Sequence, residues 1–198
     1  MSANTYLTPE ERAVLESARV GIAGAGGLGS NCAMHLVRSG VKHITIADFD
    51  VVNESNLNRQ FFFRDQIGQK KVEAIKANLL RIEPDADIRA VDMRLDASSA
   101  REIFADCGIV VEAFDAVDAK VMLVSAFASS GKKLVTASGL AGWGRSNAMR
   151  VRKMGNIVAI GDGETSVGDG AAPVSPRVGI AAAMEANAVV SLLLGCEL

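Results

Sequence analysis

The chain has no excess of positive charge: 21 Lys and Arg against 23 Asp and Glu leave a formal net charge of -2 over 198 residues. It therefore lacks the basic field that holds a polyanion through counterion release. A nucleic-acid partner is disfavoured, and any cationic site must be a local pocket. Only three cysteines occur, Cys32, Cys107 and Cys196, scattered and odd in number. They form neither a disulfide framework nor the paired CxxC spacing of a structural zinc site, and each is expected as a small buried hydrophobe. No uninterrupted apolar run approaches the roughly 20 residues needed to cross a bilayer. The opening MSANTYLTPEERAVLESARV also lacks the basic start and apolar stretch of a signal peptide. No membrane association and a cytoplasmic location are the expectation. Histidine is scarce as well. His35 falls inside a helical segment and His43 at the start of a strand, so neither is placed as the proton donor that a nicotinamide site usually has.

What is present is ample apolar material, 49% of residues, with 22% charged. That suits one domain of ordinary size over residues 1–198. Apolar, β-branched runs alternate with segments of helical period. The strand ARVGIAG precedes a helix from Leu28 to Ser39, ended by Gly40, and the strand KHITIAD follows. A helix over Lys71 to Ile82 is closed by Pro84. Then come ADIRAVDM, a short helix SSAREIFAD with Ser98 as its cap, the strand CGIVVEAF, a helix AKVMLVSAFASSG and the strand KKLVTASG. This order implies an α/β, Rossmann-like, doubly wound and mainly parallel sheet. RSNAMRVRK and NIVAIG, with little between them, read as an antiparallel hairpin closing one edge. The Gly-, Ser- and Pro-rich stretch 161–177 reads as a mobile loop able to order on a partner. The helix from Val178 to Leu194 is apolar on most of its circumference and should be buried.

Between the first strand and first helix lies GAGGLG, in which Gly24, Gly26 and Gly29 have the spacing of a dinucleotide fingerprint. The first permits the tight turn, the second admits a phosphate to the backbone, and the third allows close packing of helix on strand. The helix N-terminus adds free N–H groups and partial positive charge. Asp48 ends the second strand nineteen residues after Gly29, where an acid accepts from ribose hydroxyls and repels a 2′-phosphate. The alternative is a solvated Asp at a strand end. Polar donors then concentrate beyond this strand: Asn56, Arg59 and Lys71 can face phosphates. Lys70 and Lys71 open a helix, the end at which the macrodipole disfavours cations, so one of them is expected to balance an anion, or else the pair is simply solvated. Across the crevice Asp115 follows a buried strand. It can hold Mg²⁺ against phosphates, a role compatible with capping the next helix. Phe61, Phe62 and Phe63 read as core plugs or subunit contacts, and Trp143 as a packing residue.

Taken together, GAGGLGS, DFDVVNESNLNRQ, GQKK and EAFDAVDAK resemble the ThiF/MoeB family of the ubiquitin-activating superfamily along roughly the whole chain. The tail APVSPRVGIAAAMEANAVVSLLLG looks most like short ThiF-type adenylyltransferases of thiamine biosynthesis. The resemblance implies that ATP binds in the crevice and that the C-terminal carboxylate of a small ubiquitin-like sulfur carrier, ending in Gly-Gly, attacks the α-phosphate in a homodimeric enzyme. Carried onto this chain, Gly24, Gly26, Gly27, Leu28 and Gly29 cradle the phosphates, Asp48 holds the ribose, and Asn56, Arg59 and Lys71 contact the phosphates. Asp50 joins the nucleotide site from the DFD motif, and Asp115 ligates Mg²⁺. Three departures stand out: the zinc CxxC pairs of many relatives are absent, no Cys lies between Cys107 and Cys196, and only Arg12 and Arg19 occupy the region from which dimeric relatives supply an Arg. The same fold also serves carriers of the molybdopterin type and a tRNA nucleoside. A nucleotide-binding protein without turnover and an NAD-dependent oxidoreductase are the readings furthest from this one.

Overall fold

Seven strands pair into one sheet in the computed structural model, which describes residues 6–166 and 170–198. In chain order the strands are β1 (Arg19–Ala23), β2 (His43–Asp48), β3 (Asp87–Asp92), β4 (Ile109–Glu112), β5 (Lys133–Ala137), β6 (Arg150–Met154) and β7 (Ile157–Gly161). Their order across the sheet is β3-β2-β1-β4-β5-β7-β6. Every pairing is parallel except β6 with β7, so the hairpin closes the edge as expected. The chain passes from β1 outward through β2 and β3, then returns to β4 on the other side of β1. The strand order thus reverses between β1 and β4, the place where open α/β sheets bind ligands.

Among the described residues six α-helices flank the sheet: α1 (Pro9–Ser17), α2 (Gly27–Arg38), α3 (Lys71–Leu80), α4 (Ala97–Ile103), α5 (Val117–Phe127) and α6 (Ser175–Leu194). One buried cluster joins α2, α3 and α6 to one face through residues such as Ile22, Leu36, Ile44, Ile75 and Val189, while Phe104, Leu123 and Phe127 pack α4 and α5 on the other. By length and mean hydropathy, 1.5 over its most apolar stretch, α6 could cross a membrane. Here Val178, Ala181, Ala186 and Val189 are buried, and the helix packs along α2.

Several local expectations change. α1 was not expected from periodicity, yet Thr8 caps it with a reciprocal Glu11 capping box and Pro9 stands in its first turn. The cap of α4 is Asp96 and not Ser98: its carboxylate accepts from the N–H groups of Ser98 and Ser99 at 2.9 and 2.8 Å. α5 is capped by Ala116 with no side-chain bond, so Asp115 does not cap it. Cys32 and Cys107 are buried, but Cys196 is exposed. Phe62 is a core plug and Phe61 packs against the core, whereas Phe63 is 45% exposed and meets Phe61 edge-on at 5.7 Å. Trp143 is 75% exposed, not packed. Residues 167–169 of the expected mobile loop lie outside the described residues. Around them, the loop is tied to the sheet by a Gly142–Pro173 bridge and a buried Asp162–Arg177 ion pair.

Candidate active site

A cleft of about 650 Å³ opens at the carboxyl ends of β1, β2, β4 and β5, across the β1/β4 reversal. Gly24, Gly26, Gly27 and Leu28 form one wall. Gly24 has φ +105°, and a Cβ there would lie 2.8 Å from the Ala113 carbonyl oxygen, so both conformation and space require glycine. At Gly26 a Cβ would meet nothing closer than Gln60 Nε2 at 3.8 Å, leaving its backbone open to the cleft. Gly29 does not line the cleft. A Cβ there would collide with the Gly24 carbonyl, so this glycine lets α2 close on β1, the packing role expected of the third glycine.

Asp48 ties two sides of the site together. Its Oδ2 accepts from the Ala25 N–H at 2.6 Å and its Oδ1 from the Asp50 N–H at 2.8 Å. Each carboxylate oxygen retains acceptor capacity, which suits paired hydroxyls. The following loop is stitched to the glycine turn by two residues of α2. Ser30 Oγ accepts from Phe61 N–H and donates to Gly26 O, while Asn31 Nδ2 donates to both Gly27 O and Arg59 O. These bonds bring Arg59 to the cleft. Its guanidinium is held by the Asn58 side chain at 2.9 Å and its stem lies against Gly27.

Asn56 is not among the cleft-lining residues. Its side chain accepts from Asn53 N–H at 3.0 Å, and its carbonyl accepts from the N–H groups of Arg59 and Gln60, so it shapes the turn that presents Arg59. Lys71 lines the cleft but is buried, with Nζ 2.8 Å from Asp50 Oδ2. Lys70 pairs with Asp92 at 3.2 Å. In the structure both helix-opening lysines are balanced by protein carboxylates. Asp115 lies on the opposite wall, exposed, and none of the described residues hydrogen-bonds or ion-pairs with its carboxylate. No group of three or more His, Cys, Asp or Glu able to hold a metal occurs among the described residues. Arg12 and Arg19 do not line the cleft, and Arg19 pairs with Asp106 at 3.1 Å. The cleft also takes in Gln60, Lys120, Ser138 and Thr165, together with the apolar Phe49 and Met93. Of these, Phe49 and Gln60 stand within DFDVVNESNLNRQ and Lys120 ends EAFDAVDAK, but none had been assigned a role from the sequence.

The cleft thus brings together a glycine turn, the cationic side chains of Arg59, Lys71 and Lys120, and the Asp115 carboxylate. A family profile described as the ThiF family matches residues 3–198. The chain belongs to the ThiF family. Among its relatives, it is 36% identical over 127 residues to the "Adenylyltransferase and sulfurtransferase UBA4" of Eremothecium gossypii, covering 64% of this chain and 29% of that one. It is 37% identical over 115 residues to the "Molybdopterin-synthase adenylyltransferase" of Salmonella typhimurium, covering 58% and 46%. The chain therefore spans less than half the length of either ThiF-family relative. The fold is that of the E. coli tRNA N6-threonylcarbamoyladenosine dehydratase TcdA, solved in complex with AMP: TM-score 0.84 and 20% identity, over 94% of this chain and 90% of that one.

Proposed function

We propose that this ThiF-family chain binds ATP with Mg²⁺ and adenylates the C-terminal glycine carboxylate of a small ubiquitin-like sulfur carrier, of the thiamine-pathway type, as a homodimer. The observation that carries this reading is the Asp115 carboxylate, without a partner among the described residues, in one cleft with the glycine turn, Arg59 and Lys71. Mg²⁺ fits that donor: it is commonly held by one or two carboxylates plus phosphate oxygens and water, and needs no protein cage. When bound, it would neutralise charge on the phosphates.

The chemistry asks little covalent work of the protein. An ionised carrier carboxylate attacks the α-phosphorus in line, the bond to the bridging oxygen breaks, and pyrophosphate leaves with the electron pair. No proton moves. The turn at Gly26 and Gly27 and the N-terminus of α2 receive the phosphates, Arg59 meets their growing negative charge, and Asp48 accepts from the ribose hydroxyls. Lys71 becomes available to a phosphate once Asp50 shares or releases it. Exposed Trp143, beside Leu140 and Ala141 at the mouth, offers an apolar surface to the carrier tail.

Carrier-dependent exchange of pyrophosphate into ATP tests the reading. It should occur with a thiamine-type carrier and exceed that with a molybdopterin-type carrier. Arg59→Ala, Lys71→Ala and Asp115→Asn should each reduce it by about 10²-fold. Absence of exchange with any carrier, or indifference to these substitutions, would refute the mechanism. NADH binding that ATP does not displace would favour an oxidoreductase instead, and salt-dependent tRNA retention a nucleoside substrate.

A further inference from the structure

Beneath the turn that carries Asp115 lies a buried polar knot. Glu112, the last residue of β4, is wholly buried, where an unpaired carboxylate would be strongly disfavoured. Its oxygens are fully engaged. Oε1 accepts from the Phe114 N–H at 2.8 Å and from Lys120 Nζ at 3.2 Å, and Oε2 accepts from Lys120 Nζ at 2.9 Å and Thr136 Oγ1 at 2.6 Å. Lys120 Nζ donates in addition to the Ala137 carbonyl at 3.1 Å. The knot thus joins β4, β5 and α5, whose ends build the cleft wall opposite the glycine turn.

Lys120 lines the cleft, yet the three hydrogens of its ammonium have three protein acceptors, leaving none for a ligand. That separates it from Arg59, whose guanidinium has donors to spare. Phe114, held by Glu112, directly precedes Asp115, and Ala113 before it lies against Gly24. A shift of this turn would move the acid and crowd the glycine turn together. Across the sheet, the carboxyl of Glu185 on α6 is fully buried without a hydrogen-bond partner among the described residues. Burial and the nearby Glu112 push its pKa well up, against an opposing effect of Lys120. Neutral Glu185 leaves Glu112 and Lys120 as a balanced pair.

We propose that Glu112, Lys120 and Thr136 form a positioning unit that holds the Phe114–Asp115 turn where Asp115 meets the metal of a bound nucleotide. This rests on the nucleotide reading above, and the test separates the two. Mn²⁺ serves as the probe metal: free Mn²⁺ is followed by electron paramagnetic resonance as it is titrated into the full chain with α,β-methylene ATP. Asp115→Asn should weaken Mn²⁺ binding about 10-fold or more, and Lys120→Met, in protein shown folded by its melting transition, about 10-fold. Lys120→Arg should bind within about 2-fold of wild type, a rescue that bulk destabilisation does not explain. If Lys120→Met does not fold, Thr136→Val removes one bond of the knot and should weaken binding about 3-fold. Wild-type Mn²⁺ affinity in a folded Lys120→Met or Thr136→Val, with Asp115→Asn impaired, overturns this proposal alone. A wild-type chain that does not bind the analogue, or an Asp115→Asn variant that binds Mn²⁺ normally, overturns the nucleotide reading and this proposal together.

Discussion

Glu185 is a carboxyl whose protonated form the fold favours, and this has a measurable consequence. Burial and Glu112 raise its pKa in the folded chain, whereas the unfolded chain releases the proton above about pH 4.3. The native state then binds more protons than the unfolded one. Stability should fall by about 1.4 kcal/mol per pH unit as pH rises from there through the folded value. Glu185→Gln removes the titrating group, so its melting temperature should depend less on pH than that of wild type as pH rises above about 4.3. Equal pH dependence of the two proteins would contradict a protonated Glu185. At this scale the glycines were legible because each has a short-range reason: a positive φ at Gly24, an open backbone at Gly26, and contact between α2 and β1 at Gly29. Lys120 and Glu185 were not. The groups that face them lie on other elements, and burial of an ionisable side chain has no signature in local sequence. Asn56 was legible as part of the loop but not as its internal brace, because its capping bond to Asn53 mimics the polar spacing of a ligand contact.

Between elements, the Asp162–Arg177 pair fastens the loop after β7 to the first turn of α6. Both side chains are almost fully buried, and Arg177 also donates to the Gly144 carbonyl. Burial pushes the Asp162 carboxyl up, but the amides of Thr165 and Glu164, the Thr165 hydroxyl and Arg177 more than offset it, and the group titrates below its ordinary value. Its stabilisation is therefore fully present above about pH 4 and is lost as pH falls through the folded value. Asp162→Asn strands a buried guanidinium and should cost about 3–5 kcal/mol in denaturant unfolding, with a smaller loss at low pH, where wild type has already lost the pair. An unfolding midpoint equal to wild type at neutral pH would show that the clip is dispensable. The strands and the edge hairpin were readable from β-branched runs and crossover spacing. The α1 helix was missed although Thr8, Pro9 and Glu11 are start signals, because it spans only 9 residues and buries Leu15 alone.

For the molecule as a whole, the reversal of strand order between β1 and β4 brings residues from three distant segments to one cleft: the glycine turn, the loop after Asp48, and the turn at Asp115. The alternation of elements in the sequence placed the cleft beyond the strand ends, and the observed strand order puts the reversal between β1 and β4. What the sequence did not reveal is how little of the chemistry is left free, with Lys71 already paired to Asp50 and Lys120 to Glu112. The central claim, a cleft shaped for the phosphates of ATP, is tested most directly at Gly26, where an added methyl would meet no protein atom closer than 3.8 Å. Calorimetric titration of ATP with Mg²⁺ into wild type and Gly26→Ala should show saturable binding to wild type, weakened about 10-fold or more by the methyl at an unchanged melting temperature. Equal ATP affinity in the two proteins, or none in wild type, would contradict the claim.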